Sequence, residues 1–337
     1  MVKKRILWID FLKLLAIYFV VLGHVILFMG LERNEIAYQN TICSFVYSFH
    51  MPLFMTISGF FSHKIITCEG NIKRKFLQLI VPCISLAIIC FIFNIHSLNF
   101  WYLKSLFICY VIWDLFFLLF KNKLGIGVLV FTVLSILFFP LLTKIPYIAS
   151  YKVDFMLPFF GLGLLIYQYR ETLNNHITSL TFITILLFIV SLFFWNASYI
   201  WYFSQPNWID YKSLILEKQF IFDFQTLWQT IWRYLVGLLG TCSFLFLCWH
   251  IGKRKNGNKI FSLGKYGQYS LHIYIFQSFL VEVNPFHIKF PIENIYLYNY
   301  VYAPIFSICI VIICIIIAYI LEKNKYIAFF LFGKQLN

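Results

Sequence analysis

The chain has 337 residues, of which 61% are hydrophobic, 21% aromatic and only 12% charged, with a mean hydropathy of +0.82. Soluble domains carry about 25% charged residues, so water-soluble, disordered and fibrous classes are excluded. The net charge of +14 is spread over many short connecting segments rather than one face, which argues for membrane topology and against nucleic acid.

The bilayer core is about 30 Å thick and takes about 20 apolar residues per helix. That ruler predicts spans near 8–29, 41–63, 76–95, 100–120, 124–142, 151–169, 177–195, 227–250, 266–283 and 298–320. The expected fold is an all-α polytopic membrane protein of about ten helices, forming a single membrane-embedded domain over 1–337. The basic run Lys3-Lys4-Arg5 superficially resembles a signal peptide. The apolar stretch that follows is too long, contains Asp10 and Lys13, and lacks a small-residue cleavage site, so it is expected to be the first span. An even number of crossings puts both termini on one side. Of the 27 Lys and Arg residues, 18 fall on that side, 6 on the other and 3 within or at the edge of spans. This bias predicts cytoplasmic termini. The nine cysteines form no C-x-x-C pair and mostly sit in apolar runs, where they act as small hydrophobes. No metal site is expected.

Ionisable side chains at membrane depth are costly and raise a functional hypothesis. The first span, WIDFLKLLAIYFVVLGH, holds Asp10, Lys13 and His24. Lys13 and His24 are 11 residues apart, roughly 1100° of helical rotation, so they share a face about 16 Å apart along the axis. Asp10 lies one turn before Lys13 and can neutralise it. The second span contributes His50, followed by Pro52 and by Ser58-Gly59, which permits close helix contact. Each histidine has two readings, a chemical group or a hydrogen-bonded packing residue. Asp114, Asp154, Arg233 and Glu282 are expected to pair or snorkel at span edges. His63, His96, His176 and His287 are placed in loops, and His272 either lines a cavity or packs.

The longest segment between spans, 196–226, is expected to face outward and carries Tyr199, Trp201, Tyr202, Trp208 and Tyr211 among carboxylates and amides. Aromatic faces beside polar groups suit a carbohydrate. The alternative is an interfacial aromatic belt without a ligand.

The run from Arg5 to His24, and the run FHMPLFMTISGFF from Phe49 to Phe61, resemble the opening of the acyltransferase family 3 membrane proteins. Weaker echoes follow in the family's order: Leu79-Ile80-Val81-Pro82, Phe100-Trp101-Tyr102-Leu103, Leu157 to Gly163, and Leu263-Gly264 with Ser270-Leu271 and Ile273-Tyr274. The resemblance implies an integral-membrane O-acyltransferase of the cell (inner) membrane. It would move an acyl group, by default acetyl, from acyl-CoA (acetyl-CoA) to a hydroxyl of an exported or lipid-linked saccharide, with no permanently bound cofactor. The family's basic-residue-x10-histidine signature maps onto Lys13 and His24, and its second-helix histidine onto His50.

Expected roles are therefore His24 and His50 in catalysis, and Lys13, Lys73, Arg74 and Lys75 at the donor. Tyr47, Ser58, Trp201 and Trp208 would act at the acceptor or oxyanion, with Asp10 in support. Where the family often has R-x-x-R before the third span, this chain has Lys75-x-x-Gln78, and Gln277 stands where a histidine is common near the end of the ninth. A transporter or flippase of a lipid-linked saccharide is the competing class.

Overall fold

The computed structural model describes residues 6–30, 40–66, 71–95, 100–119, 123–142, 152–196, 199–200, 217–218, 222–254, 257–290 and 294–334. Among the described residues, the main helical segments stand near the expected spans, with short helices at Arg170–Asn175, Gly257–Ile260 and Ile295–Leu297 between them. The main segments are α1 (Leu7–Met29), α2 (Thr41–Ile66), α3 (Asn71–Ile92), α4 (Trp101–Leu119), α5 (Leu124–Leu142), α6 (Val153–Gln168), α7 (Ile177–Phe193), α8 (Phe224–Gly252), α9 (Ser270–Gln277) and α10 (Ala303–Leu321). A 3-10 segment, Ser262–Tyr269, leads into α9, and π turns at Ser278–Val283 and Tyr298–Tyr302 follow α9 and precede α10. A short helix not expected from the sequence, α11 (Lys325–Phe332), closes the described chain.

Among the described residues, five helices are long and apolar enough to cross a membrane: Leu7–Met29, Thr41–His63, Ile72–Ile92, Phe224–Gly252 and Ile295–Leu321. Shorter apolar helices lie at Leu124–Leu137, Val153–Gln168 and Ile177–Phe193. No strand is present among the described residues; a lone bridge joins Gly30 to Phe290. The architecture is that of an all-helical membrane protein.

Burial sorts the helices into layers. The apolar windows of α1 and α2 are 56% and 67% buried, against 28% for those of α3 and α10. Helix α1 lies in the interior: it touches α2, α8, α9, α10 and the 3-10 and π segments flanking α9. The outer helices turn Ile84, Ile88, Phe91, Phe182, Phe193, Ile308 and Ile312 outward, an apolar surface suited to lipid. Close approach of α2 and α6 depends on Gly59 and Gly163, where a Cβ would run into the backbone of the opposite helix. Thr56 adds a hydrogen bond from its hydroxyl to the Phe159 carbonyl at 3.1 Å. Aromatic stacking ties α8 to both inner helices, Trp249 on Trp8 and Phe244 on Phe49.

The third helix starts at Asn71, before the expected 76. Lys73, Arg74 and Lys75 therefore lie on helix α3 itself and not on a loop before it, because long basic side chains are good helix formers and can bury their stems.

Candidate functional site

The shared face of α1 carries two polar stations. At the first, Lys13 Nζ lies 3.1 Å from Asp10 Oδ1 and 4.0 Å from the centroid of the Phe61 ring on α2. At the second, His24 Nδ1 donates to Gln277 Oε1 at 2.9 Å and lies 3.3 Å from Glu282 Oε1. Gln277 in turn donates from Nε2 to Ser278 Oγ at 2.9 Å and to the Tyr274 carbonyl at 3.2 Å, which turns its oxygen toward the imidazole. Both partners of Nδ1 are oxygens that accept, so in the neutral ring Nδ1 holds the proton and Nε2 is the free base.

Local backbone geometry makes this possible. In an ordinary α-helix, residues five apart diverge by about 140°, so Gln277 and Glu282 would face different ways. The π turn Ser278–Val283 widens the helix at this point, as π turns at functional sites do, and both side chains meet His24. Asn284, at φ +49, ends the turn, and its side chain ties back to both backbone groups of Ile288. Two further bonds hold the end of α1 in place: Phe290 N donates to the Met29 carbonyl, and Tyr298 Oη to the Val25 carbonyl, each at 3.0 Å.

On α2, His50 is buried and donates from Nδ1 to the Val46 carbonyl at 2.8 Å, which leaves its Nε2 as the acceptor. The Tyr47 ring centroid is 4.8 Å from that of His50. Tyr47 also packs against Gly23, where a Cβ would sit 2.7 Å from its Cε2. The glycine before His24 thus lets an α2 aromatic pack closely on α1.

A cavity of about 250 Å³ opens between α1, α2, α3, α4 and α9, and its wall includes Lys13, Lys75, Ser58, Val20, Tyr102 and Tyr274. Ser58 Oγ and Tyr102 Oη are 3.2 Å apart. Lys75 lies over the Tyr110 ring, whereas Lys73 is exposed. Val20, one turn before His24, lines this cavity, but His24 itself does not; the Tyr102 and Tyr274 rings in its wall have centroids 5.7 Å apart. The His24 side chain keeps 19% exposure.

Of the residues singled out from sequence, the structure gathers Lys13, Lys75 and Ser58 on one cavity and packs Tyr47 against His50 and against Gly23, the residue before His24. Trp201 and Trp208 lie outside the described residues. Arg233 donates to the Tyr199 carbonyl, and Lys152 lies over the Trp101 ring. Sequence reasoning missed Glu282, assigned to a span edge, as a partner of His24; the available signal was a carboxylate closing an apolar run. It also missed the link of His272 to Glu322, 2.6 Å apart.

A family model described as an acyltransferase domain matches residues 6–323. Nodulation protein NolL of Mesorhizobium japonicum is 24% identical over 188 residues, so the chain spans about half (49%) of the length of this curated relative. No solved structure matches the chain. The family match takes in the whole of α1 to α10, with His24, Gln277 and Glu282 inside it, and the chain belongs to acyltransferase family 3.

Proposed function

We propose that this protein is an integral-membrane O-acyltransferase, by default an O-acetyltransferase. It would transfer the acyl group of cytoplasmic acyl-CoA to a hydroxyl of an exported or lipid-linked saccharide. The observation that carries the reading is the imidazole of His24, whose Nδ1 faces Gln277 and Glu282 while Nε2 is left to act as a base.

In this reading the acceptor hydroxyl gives its proton to His24 Nε2 as its oxygen attacks the thioester carbonyl. The carbon–sulfur bond then breaks, and the coenzyme thiolate takes a proton back from the imidazolium. Glu282 stabilises that imidazolium. Ser58 and Tyr47 would supply donors to the oxyanion, His50 Nε2 would accept from a sugar hydroxyl to position it, and Trp201 and Trp208 would lie against its C–H face. The coenzyme phosphates would meet Lys13, Lys73, Arg74 and Lys75, with Asp10 holding Lys13 in place. The cavity wall that carries Lys13 and Lys75 suits the thin pantetheine arm, and the wall beyond Val20 would have to open for the thioester to reach His24.

The test uses membranes holding equal amounts of wild-type and His24→Ala protein, supplied with labelled acetyl-CoA, with mass spectrometry of cell-surface glycans as the second readout. A general base contributes about 10²–10⁴-fold, so transfer should fall by at least two orders of magnitude and an acetyl mass should vanish from the glycan. Unchanged acylation by His24→Ala overturns the mechanism. Loss of saccharide movement with no acyl transfer in the wild type would favour the transporter class.

A further inference from the structure

The segment after α10 folds back over α3. Asn324 caps α11, its side-chain oxygen accepting from the amides of Tyr326 at 2.9 Å and Ile327 at 3.3 Å. Gly333, at φ +63, ends the helix with its amide on the Phe329 carbonyl, the bond of an αL closure, and the amide of Lys334 reaches the Ala328 carbonyl. That closure presses the chain onto α3: a Cβ on Gly333 would lie 2.5 Å from the Gln78 Cα. Phe332 is buried, its ring 3.9 Å from that of His272. Lys334 Nζ then sits 2.6 Å from Glu322 Oε1, the oxygen that also meets His272 Nε2.

This fold-back borders a second, open cavity of about 460 Å³, walled by Arg74, Gln78, Gly333 and Lys334 among others. Its volume falls in the roughly 300–1,000 Å³ range of small-molecule sites. Leu79 and Leu271 line this cavity and also the one that carries Lys13 and Lys75, so the two are neighbours across one apolar wall. Arg74 Nε is buried without a hydrogen-bond partner among the described residues, a donor that an anion would satisfy.

We infer that α11, with Gly333 and Lys334, completes the donor site, Lys334 joining Arg74 to hold a phosphate of the acyl-CoA carrier. This rests on the acyl-CoA reading above. Glu322 acts as the counter-ion that keeps the Lys334 ammonium at the cavity mouth, so a bound phosphate competes with that carboxylate for Lys334. The thioester arm would continue past Leu79 and Leu271 toward Lys75.

The full chain in lipid nanodiscs is assayed with acetyl-CoA and with acetyl-pantetheine, which carries the thioester and no nucleotide phosphate. Lys334→Gln should raise KM for acetyl-CoA roughly tenfold, the scale of one charge-assisted hydrogen bond. It should leave kcat and the KM for acetyl-pantetheine unchanged, and Lys334→Arg should stay close to wild type. Adding Gln78→Lys to Lys334→Gln places a new cation on the same wall and should recover most of the loss, a gain that misfolding does not produce. Equal KM values for acetyl-CoA in wild type and Lys334→Gln, equal losses with both thioesters, or no recovery by Gln78→Lys each overturn the inference. A wild-type protein that uses neither thioester would instead defeat the acyl-CoA reading itself.

Discussion

At the scale of single side chains, the proposed reaction turns on which nitrogen of His24 carries a proton, and that is decided by two residues of a distant helix. Gln277 Oε1 and Glu282 Oε1 both face Nδ1, but only Glu282 carries charge to offset the imidazolium that forms in the transition state. Glu282→Gln should therefore lower kcat by about 30–100-fold, corresponding to roughly 2–3 kcal/mol, with KM for both substrates little changed. Steady-state kinetics at matched protein level check this; a wild-type kcat would reduce Glu282 to packing. Lys13 and His24 were legible as one face of a helix because the 3.6-residue repeat is local. Glu282 was not, because its approach depends on a π turn that leaves no periodic mark in the sequence.

At the scale of elements, the α2–α6 contact and the start of α8 make separate predictions. Gly163→Leu puts a side chain where the Thr56 carbonyl and the Phe60 amide lie. Overpacking costs about 1–3 kcal/mol even where neighbours can shift, and backbone cannot shift cheaply. This variant should lower the melting temperature in detergent and the amount of folded protein; unchanged melting would mean that the two helices are not in contact as described.

Asp223 caps α8, accepting from the amides of Gln225 and Thr226 and from the Thr226 hydroxyl. The Thr226 hydroxyl and amide hold its carboxyl below the ordinary aspartate range, so its stabilisation is present above the unfolded-state value and lost as pH falls through the folded one. Asp223→Ala should loosen the start of α8 at neutral pH, and the difference from wild type should shrink in acid, as hydrogen exchange at Gln225 and Thr226 would read. Element boundaries were legible to within a few residues. α11 was missed because a ruler of bilayer thickness passes over an eight-residue helix, although Asn324 before it and Gly333 after it are ordinary start and stop signals.

At the scale of the whole molecule, topology is the quantity to test. An even number of crossings with 18 basic residues on the side of the termini against 6 opposite predicts that reporters fused at either end read out in the cytoplasm, and that one inserted near Asn207 reads out on the other side. Opposite readings at the two ends would require an odd number of crossings.

The sequence by itself determined the helical class, the order and positions of the apolar segments, the basic bias between their connections and the common face of Lys13 and His24. Bilayer thickness, helix rise and charge counts act on neighbouring residues and need no fold to be read. The tertiary structure alone decided what His24 touches. Gln277 lies 253 positions away along the chain and reaches the imidazole only because α9 packs on α1 and then widens. It also decided that the last short helix closes over Arg74, since a contact between remote segments is set by three-dimensional packing and leaves no local pattern to read.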